Sequence, residues 1–453
     1  MISEIFKAYD VRGIVPDQLN EEVARAIGAA FAEFCQTSKI AVARDMRVSG
    51  EQLSTAFMDG ARALGVGIVD LGLGSTDMLY FASGKLDMPG VMFTASHNPA
   101  TYNGIKMCLA QARPISADTG LQDIRQLAQK YLDGGVPAGE KSGTYEQKEM
   151  LTKFAEHVRS FVNLDNLRLL RVIADTANGM GGLVVPAVFG PLPFELEILF
   201  PELDGNFPNH PADPIQPENL VDLKQRVISS GADVGLAFDG DADRVFLVDD
   251  LGHTISGSTT TSLVAKTLLK RHPGSKVLHN LICSKAAPEI ITENGGIPIK
   301  TRVGHSFIKT VMEETDALFA GEHSGHYYFR DNYRADSGLI AALVVLEVLS
   351  QSDQPLSQLR TELERYSASG EVNTKVQNVF EVLEFLENAY QGRGKMDHMD
   401  GLTVDLGDWW FNVRPSNTEP LLRLNLEART DKEVAARVQE VLAVISKADS
   451  ERN

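Results

Sequence analysis

At 453 residues the chain has room for roughly three domains, and with 43% hydrophobic and 23% charged residues it is neither a disulfide-stapled miniature, a coiled coil nor a disordered tail. The 61 Asp and Glu against 43 Lys and Arg leave a net charge of −18, a field that repels phosphate backbones and anionic bilayers, so no nucleic acid and no membrane is expected as partner. Three scattered cysteines, Cys35, Cys108 and Cys283, suit reduced core thiols, and the N-terminus becomes charged too early for a secretory signal, so the expected location is cytoplasmic.

Short apolar strands alternate with helical periodicity along most of the chain, the pattern of α/β units with mixed or parallel sheets. The first block, residues 1–144, carries strands near 40–43, 67–71 and 91–94, the last running into Thr94-Ala95-Ser96-His97-Asn98-Pro99. The second, 145–250, carries strands near 172–174, 194–199 and 234–238, ending in Asp239-Gly240-Asp241-Ala242-Asp243-Arg244. The third, 251–366, has strands near 276–279, 297–300 and 317–319 and ends in Gly321-Glu322-His323-Ser324-Gly325-His326, followed by a buried helix from Gly338 to Leu346. Strict alternation over 402–406 and 422–426, with Val434, Val438, Val441 and Ile445 on one helical face, marks residues 367–453 as a smaller α+β unit. Ligands of α/β sheets bind at strand carboxyl ends, so the three matching loops are expected to face one cleft.

Each loop carries chemistry. Ser96 follows a strand, but Gly-x-Ser-x-Gly is absent and neighbouring strand residues point apart, so His97 is not expected to act as its base. Beside a cation Ser96 becomes a phosphate carrier, whose charge Lys106 could help to hold. Asp239, Asp241 and Asp243 alternate, with no Lys or Arg between them to relieve repulsion, and suit one hard cation. An EF-hand would need Gly and Glu where Arg244 and Asp250 stand, so magnesium in an open site fits better. Glu322, Ser324 and His326 offer a row of partners for vicinal hydroxyls. Arg414, Ser416, Asn417 and Thr418 offer a fork of donors to a phosphate. Arg12, Lys106, Arg244, Lys285, His305 and Lys309 are the cations an anionic ligand would need. Neither the Walker phosphate loop nor the Gly-x-Gly-x-x-Gly turn occurs.

Together the four loops resemble the α-D-phosphohexomutase family over essentially the whole chain, most closely its bacterial phosphomannomutase/phosphoglucomutase branch. Phe6-Lys7-Ala8-Tyr9-Asp10-Val11-Arg12-Gly13 resembles the family's opening segment, which brings Tyr9 and Arg12 toward the site. The resemblance implies three related mixed-sheet α/β domains and a smaller C-terminal one around a central cleft. It also implies Mg2+ held by Ser96, Asp239, Asp241 and Asp243, and transfer through phospho-Ser96 and a hexose 1,6-bisphosphate. Lys106, Arg244 and His305 would then assist the chemistry. Tyr9, Arg12, Lys285, Glu322, Ser324, His326, Arg414, Ser416, Asn417 and Thr418 would bind a hexose phosphate. Mannose phosphate is the expected substrate. Glucose phosphate or dual specificity is the alternative, followed by glucosamine phosphate, a sugar phosphatase and a non-catalytic binder. A monomer or homodimer with a hinge near residue 367 is expected.

Overall fold

The structure, a computed structural model, describes residues 2–137, 142–415 and 421–450. One strand order occurs three times, and that repetition positions the site. In the first sheet Gly67–Leu73, Lys39–Arg44 and Gly90–Phe93 lie side by side and parallel, and Tyr102–Leu109 returns antiparallel beside the last. Phe194–Leu199, Leu170–Asp175, Val234–Phe238 and Val245–Asp249 repeat the order and directions in the second. Ile297–Thr301, Lys276–Asn280, Phe319–Gly321 and Tyr327–Phe329 repeat them in the third. The first sheet is widened by Val11–Ile14 and Tyr145–Gln147, the second by Thr254–Ile255. In every unit the connection from the third parallel strand to its antiparallel neighbour holds one of the loops singled out above. Those third strands are buried along their length, as central strands covered on both faces must be.

One strand differs from expectation. Residues 317–319 were expected to be extended, but the strand is Phe319–Gly321. The helix His305–Thr315 ends with Asp316 in the left-handed region and the Ala317 N–H bonded to the Met312 carbonyl, so its closing turn takes up Ala317.

The last unit is an antiparallel sheet in the order Ser367–Lys375, Leu421–Ala428, Trp410–Pro415, Leu402–Asp405, Lys395–Asp397, backed by the helices Val379–Tyr390 and Asp431–Ser450. Its apolar core, with Leu386, Tyr390, Phe411 and Val441, is its own. A single apolar cluster instead runs through the first three units, joining Met92, Phe154, Val185, Leu247, Phe319 and Leu343. Ion pairs tie the last unit to the third: Lys285 Nζ to Asp405 at 2.6 Å, and Lys300 to Asp397. The helix Gly338–Ser350 is buried from Gly338 through Glu347, whose carboxylate pairs with Arg271 and accepts the Asn163 N–H. Among the described residues no helix is long and apolar enough to cross a membrane.

Candidate active site

Ser96 occupies a strained position. Its φ of +48° lies in the left-handed region, which costs a non-glycine residue about 1 kcal/mol or more and is kept where surroundings over-determine it. Those surroundings are the Thr94 hydroxyl, which accepts the Ser96 N–H at 2.9 Å, and the buried Arg47. The Arg47 guanidinium donates to the carbonyls of Ser96, Asn98, Pro99 and Tyr102 at 2.7 to 2.9 Å, and pairs with Asp45. The loop is thus shaped around a buried guanidinium.

The Ser96 hydroxyl donates to Asp239 Oδ2 at 2.7 Å. Backbones approach closely here: a Cβ on Gly240 would stand 2.4 Å from the Ser96 carbonyl oxygen, so only glycine fits. Arg244 Nε donates to the same Asp239 oxygen at 2.9 Å, and Arg244 Nη2 reaches Ser96 Oγ at 3.2 Å. Lys106 Nζ bridges Asp241 Oδ2 at 2.8 Å and Asp243 Oδ2 at 2.7 Å. All three aspartates are buried, and burial pushes the Asp239 carboxyl up to about 7 against the pull of Arg244. Burial works against ionised Asp241, but Lys106, the Thr76 hydroxyl and Arg244 together outweigh it and hold that carboxyl well below the ordinary range. Lys106, disfavoured by burial, is raised well above its ordinary value by Asp241 and Asp243.

Repulsion within the triplet is therefore relieved by cations from elsewhere in the chain, and the sequence argument from uncompensated charge loses its force. The argument for a cation rests on geometry instead. One oxygen each from Asp239, Asp241 and Asp243 lies within 4.8 Å of the others, and the Oδ1 atoms of Asp241 and Asp243 are buried with no hydrogen-bond partner. Two orphaned carboxylate oxygens in a hard, all-oxygen donor set fit a divalent cation such as magnesium.

His97 departs from the strand picture. Because Ser96 leaves the extended conformation, the His97 Nδ1 comes within 3.3 Å of Ser96 Oγ. That nitrogen also faces Arg244 Nη2 at 2.5 Å, and Arg244, followed by burial, holds the imidazole well below its ordinary value. A neutral ring accepting from a guanidinium has no lone pair left on that nitrogen to take the serine proton, so the expectation that His97 is not a base stands on different geometry.

In the third loop Glu322 accepts from Tyr328 OH at 2.8 Å, Asn280 Nδ2 at 3.2 Å and Gly304 N at 3.3 Å. Ser324 is half-buried at the turn. His326 Nδ1 faces Asp336 at 2.9 Å and lies 3.8 Å from Asp243. Burial lowers its pKa, but Asp243 and Asp336 outweigh that and raise it. Lys309, also buried, sits 3.2 Å from Asp336 and over the Tyr80 ring.

The remaining expected residues are spread around this centre. Arg12 donates to Asn98 Oδ1 at 2.5 Å and to Asp10 at 2.6 Å, at the rim of the serine loop. Tyr9 reaches the third unit, its hydroxyl 3.4 Å from the Val303 carbonyl and its ring edge-on to Phe307. Arg414 pairs with Glu371 at 2.7 Å. His323 is pushed down to about 3 by burial and by the fields of Arg414, His326 and Arg423, and it lines one cavity with Trp410, Asn425 and Leu426 of the last unit. Lys285 is not brought to the acidic loop: its ammonium is bound to Asp405 and the Gly407 carbonyl. His305 opens its helix, but its side chain lies outside the described residues, as do Ser416, Asn417 and Thr418 altogether.

Sequence reasoning missed Arg47, Thr76, Asp77 and Asp336. Thr76 Oγ1 donates to Asp241 Oδ2 at 2.6 Å, and Asp77 accepts from Ser337 Oγ at 2.6 Å. Nothing in Gly74-Ser75-Thr76-Asp77 separates it from an ordinary helix cap.

Comparison with known proteins matches this architecture along its length. Four family descriptions of the phosphoglucomutase/phosphomannomutase kind cover alpha/beta/alpha domain I at residues 3–133, domain II at 152–252, domain III at 256–366 and the C-terminal domain at 371–444. A phosphomannomutase of Escherichia coli strain K12 is 40% identical over 435 residues, covering 94% of this chain and 95% of its own. A phosphohexose mutase of Xanthomonas campestris is 40% identical over 440 residues, covering 96% and 98%. A crystal structure of a phosphoglucomutase/phosphomannomutase family protein from Burkholderia thailandensis superposes with a TM-score of 0.88 at 33% identity, covering 98% of this chain and 97% of that one.

Proposed function

The chain belongs to the phosphoglucomutase/phosphomannomutase family and is a phosphohexomutase by fold and enzyme class; within that class we propose that it interconverts mannose 1-phosphate and mannose 6-phosphate. The observation that carries the reading is the Ser96 hydroxyl bonded to Asp239 at 2.7 Å, beside two partnerless carboxylate oxygens and under Arg244. Mannose rather than glucose is supported by the phosphomannomutase relative at 40% identity.

Asp239, Asp241 and Asp243, with an oxygen of phosphorylated Ser96, would hold Mg2+. When bound, the ion draws negative charge off the phosphoryl oxygens. The chain's residues do the rest. The Ser96 O–P bond would break as the C6 hydroxyl oxygen of mannose 1-phosphate forms its own O–P bond, and the proton lost at O6 is matched by one gained at Ser96 Oγ, giving the 1,6-bisphosphate. After the bisphosphate turns over in the cleft, Ser96 Oγ would form an O–P bond to the phosphoryl group on O1 as the O1–P bond breaks, and the proton lost at Ser96 is matched by one gained at O1, giving mannose 6-phosphate. Arg244, 3.2 Å from Ser96 Oγ, and Lys106, held on Asp241 and Asp243, are read as the cations that offset charge on the transferring group, the positioning and neutralisation that dominate phosphoryl transfer. Glu322, Ser324 and His326 are read as partners of the sugar hydroxyls. Arg414, Ser416, Asn417 and Thr418 are read as the cradle of the phosphate that does not react, with Tyr9 and Arg12 at the rim and His305 as an acid, base or contact. Lys285 keeps its place in this reading through the fourth unit, which it anchors. The divisions expected at 145 and 251 move a few residues on, because Tyr145–Gln147 completes the first sheet and Thr254–Ile255 the second; the four units are proposed to divide after residue 147, after residue 255 and near residue 367, with a monomeric or homodimeric cytoplasmic protein as the working form.

The test is a coupled assay on mannose 1-phosphate, glucose 1-phosphate and glucosamine 1-phosphate with magnesium and trace bisphosphate. Mannose 1-phosphate should turn over best. Release of inorganic phosphate in place of isomerised sugar would make the protein a phosphatase.

A further inference from the structure

The turn Ser75-Thr76-Asp77 belongs to the first unit, opens the helix Thr76–Leu86 and touches both of the next two units. Toward the second unit, Thr76 holds Asp241 twice: its hydroxyl donates to Oδ2 at 2.6 Å and its main-chain N–H donates to the Asp241 carbonyl at 3.1 Å. Toward the third, Asp77 accepts the hydroxyl of Ser337, which caps the helix Gly338–Ser350. All three residues of the turn are fully buried. Capping does not account for the Thr76 hydroxyl, since Ser75 already caps this helix by accepting the Met78 N–H.

The grip decides which face of Asp241 is free. Oδ2 is taken by Thr76 and Lys106, while Oδ1 is buried with no partner. A carboxylate whose one oxygen and carbonyl are both pinned has little freedom to rotate, and the remaining oxygen is presented in one direction.

We propose that Thr76 is a positioning residue for the divalent-cation site: by fixing Asp241 through Oδ2 and the main chain, it commits Oδ1 to the cation. This deepens the metal part of the proposed function and rests on it. Groups that orient metal ligands from behind typically change metal affinity 10-fold to 100-fold when removed.

The experiment is calorimetric titration of Mn2+ into the full, chelator-treated chain, with no sugar phosphate present. For Thr76→Val the dissociation constant should rise at least about tenfold, while Thr76→Ser, which keeps the donor, stays within about threefold of the parent chain. In an Asp241→Asn background the Thr76→Val change should have little further effect, because the anionic ligand that Thr76 orients is already gone. Thr76→Ala supplies the same comparison should the valine variant fail to fold. Affinity unchanged in Thr76→Val or Thr76→Ala, or a loss equally large with and without Asp241, overturns the inference, as does a parent chain that takes up no Mn2+. A chain that binds Mn2+ as expected but isomerises no hexose phosphate would instead sink the proposed reaction and leave the role of Thr76 standing.

Discussion

Ser96 Oγ stands 2.7 Å from Asp239 Oδ2 although 143 positions separate the two residues in the chain. The contact exists because equivalent connections in the first two units, each following the third parallel strand of its sheet, are brought face to face. It joins the one hydroxyl proposed to carry a phosphoryl group to the first carboxylate of the acidic triplet.

Replacing Ser96 by Ala should therefore lower kcat by at least about 10³-fold, since the group proposed to carry the phosphoryl in every turnover would have no substitute. Alanine meets about the same left-handed strain, so stability should move by less than about 1 kcal/mol. Steady-state kinetics beside urea unfolding checks both; turnover within tenfold of the parent would remove Ser96 from the mechanism.

Lys106 neutralises Asp241 and Asp243 in a buried setting. Lys106→Met leaves two carboxylates without their partner and should destabilise the metal-free chain by about 3 to 5 kcal/mol. Millimolar Mg2+ should recover part of the loss, because the cation and the ammonium serve the same charges. Unfolding curves with chelator and with Mg2+ decide the matter, and an identical deficit in both would separate the lysine from the cation.

Burial pushes the Asp77 carboxyl up to about 8 against the hydrogen bonds from Ser337 and Ser75. The folded chain thus keeps a proton that the unfolded chain gives up near pH 4. The stability tied to this group is complete below about pH 4 and drains away as pH rises through about 8, at up to about 1.4 kcal/mol per unit. Asp77→Asn should flatten the decline by about one proton between about pH 5 and pH 8 in chelator. Equal slopes for the two proteins would show that Asp77 is ionised in the fold.

Lys285 bonds to Asp405 at 2.6 Å with both side chains partly exposed. Such a pair is worth under about 1 kcal/mol, so Lys285→Ala should raise KM for the sugar phosphate about threefold to fivefold, leave kcat nearly unchanged, and lose its effect at high salt. Asp405→Asn should reproduce the change, and the double variant should be no worse than either. If only the lysine variant responds, Lys285 acts on the substrate directly.

Much of this was legible in residues alone. The three strand-to-loop repeats, the buried apolar helix after Ser337 and the alternating strands of the last unit all follow from hydrophobic period. The serine and acidic loops were legible because hydroxyl and carboxylates cluster at strand ends. Arg47 and Thr76 were not, because their work is done on atoms about 50 and 165 positions away. An isolated arginine after a strand, or a threonine at a helix start, has an everyday explanation that no local pattern contradicts. The ammonium bridging Asp241 and Asp243 was equally invisible, since Lys106 lies on a strand of another unit. What sequence hides here is compensation at long range.

The distribution of apolar packing carries a thermal consequence. The first three units share a continuous cluster, whereas the last closes its own and meets its neighbour through partly exposed ion pairs and a main-chain bond from Lys285 to the buried Glu427. Heat absorption on warming should then resolve into two transitions, a small one that added salt moves and a large one that it does not. The enzyme is in this sense a stiff three-part frame with a detachable fourth wall.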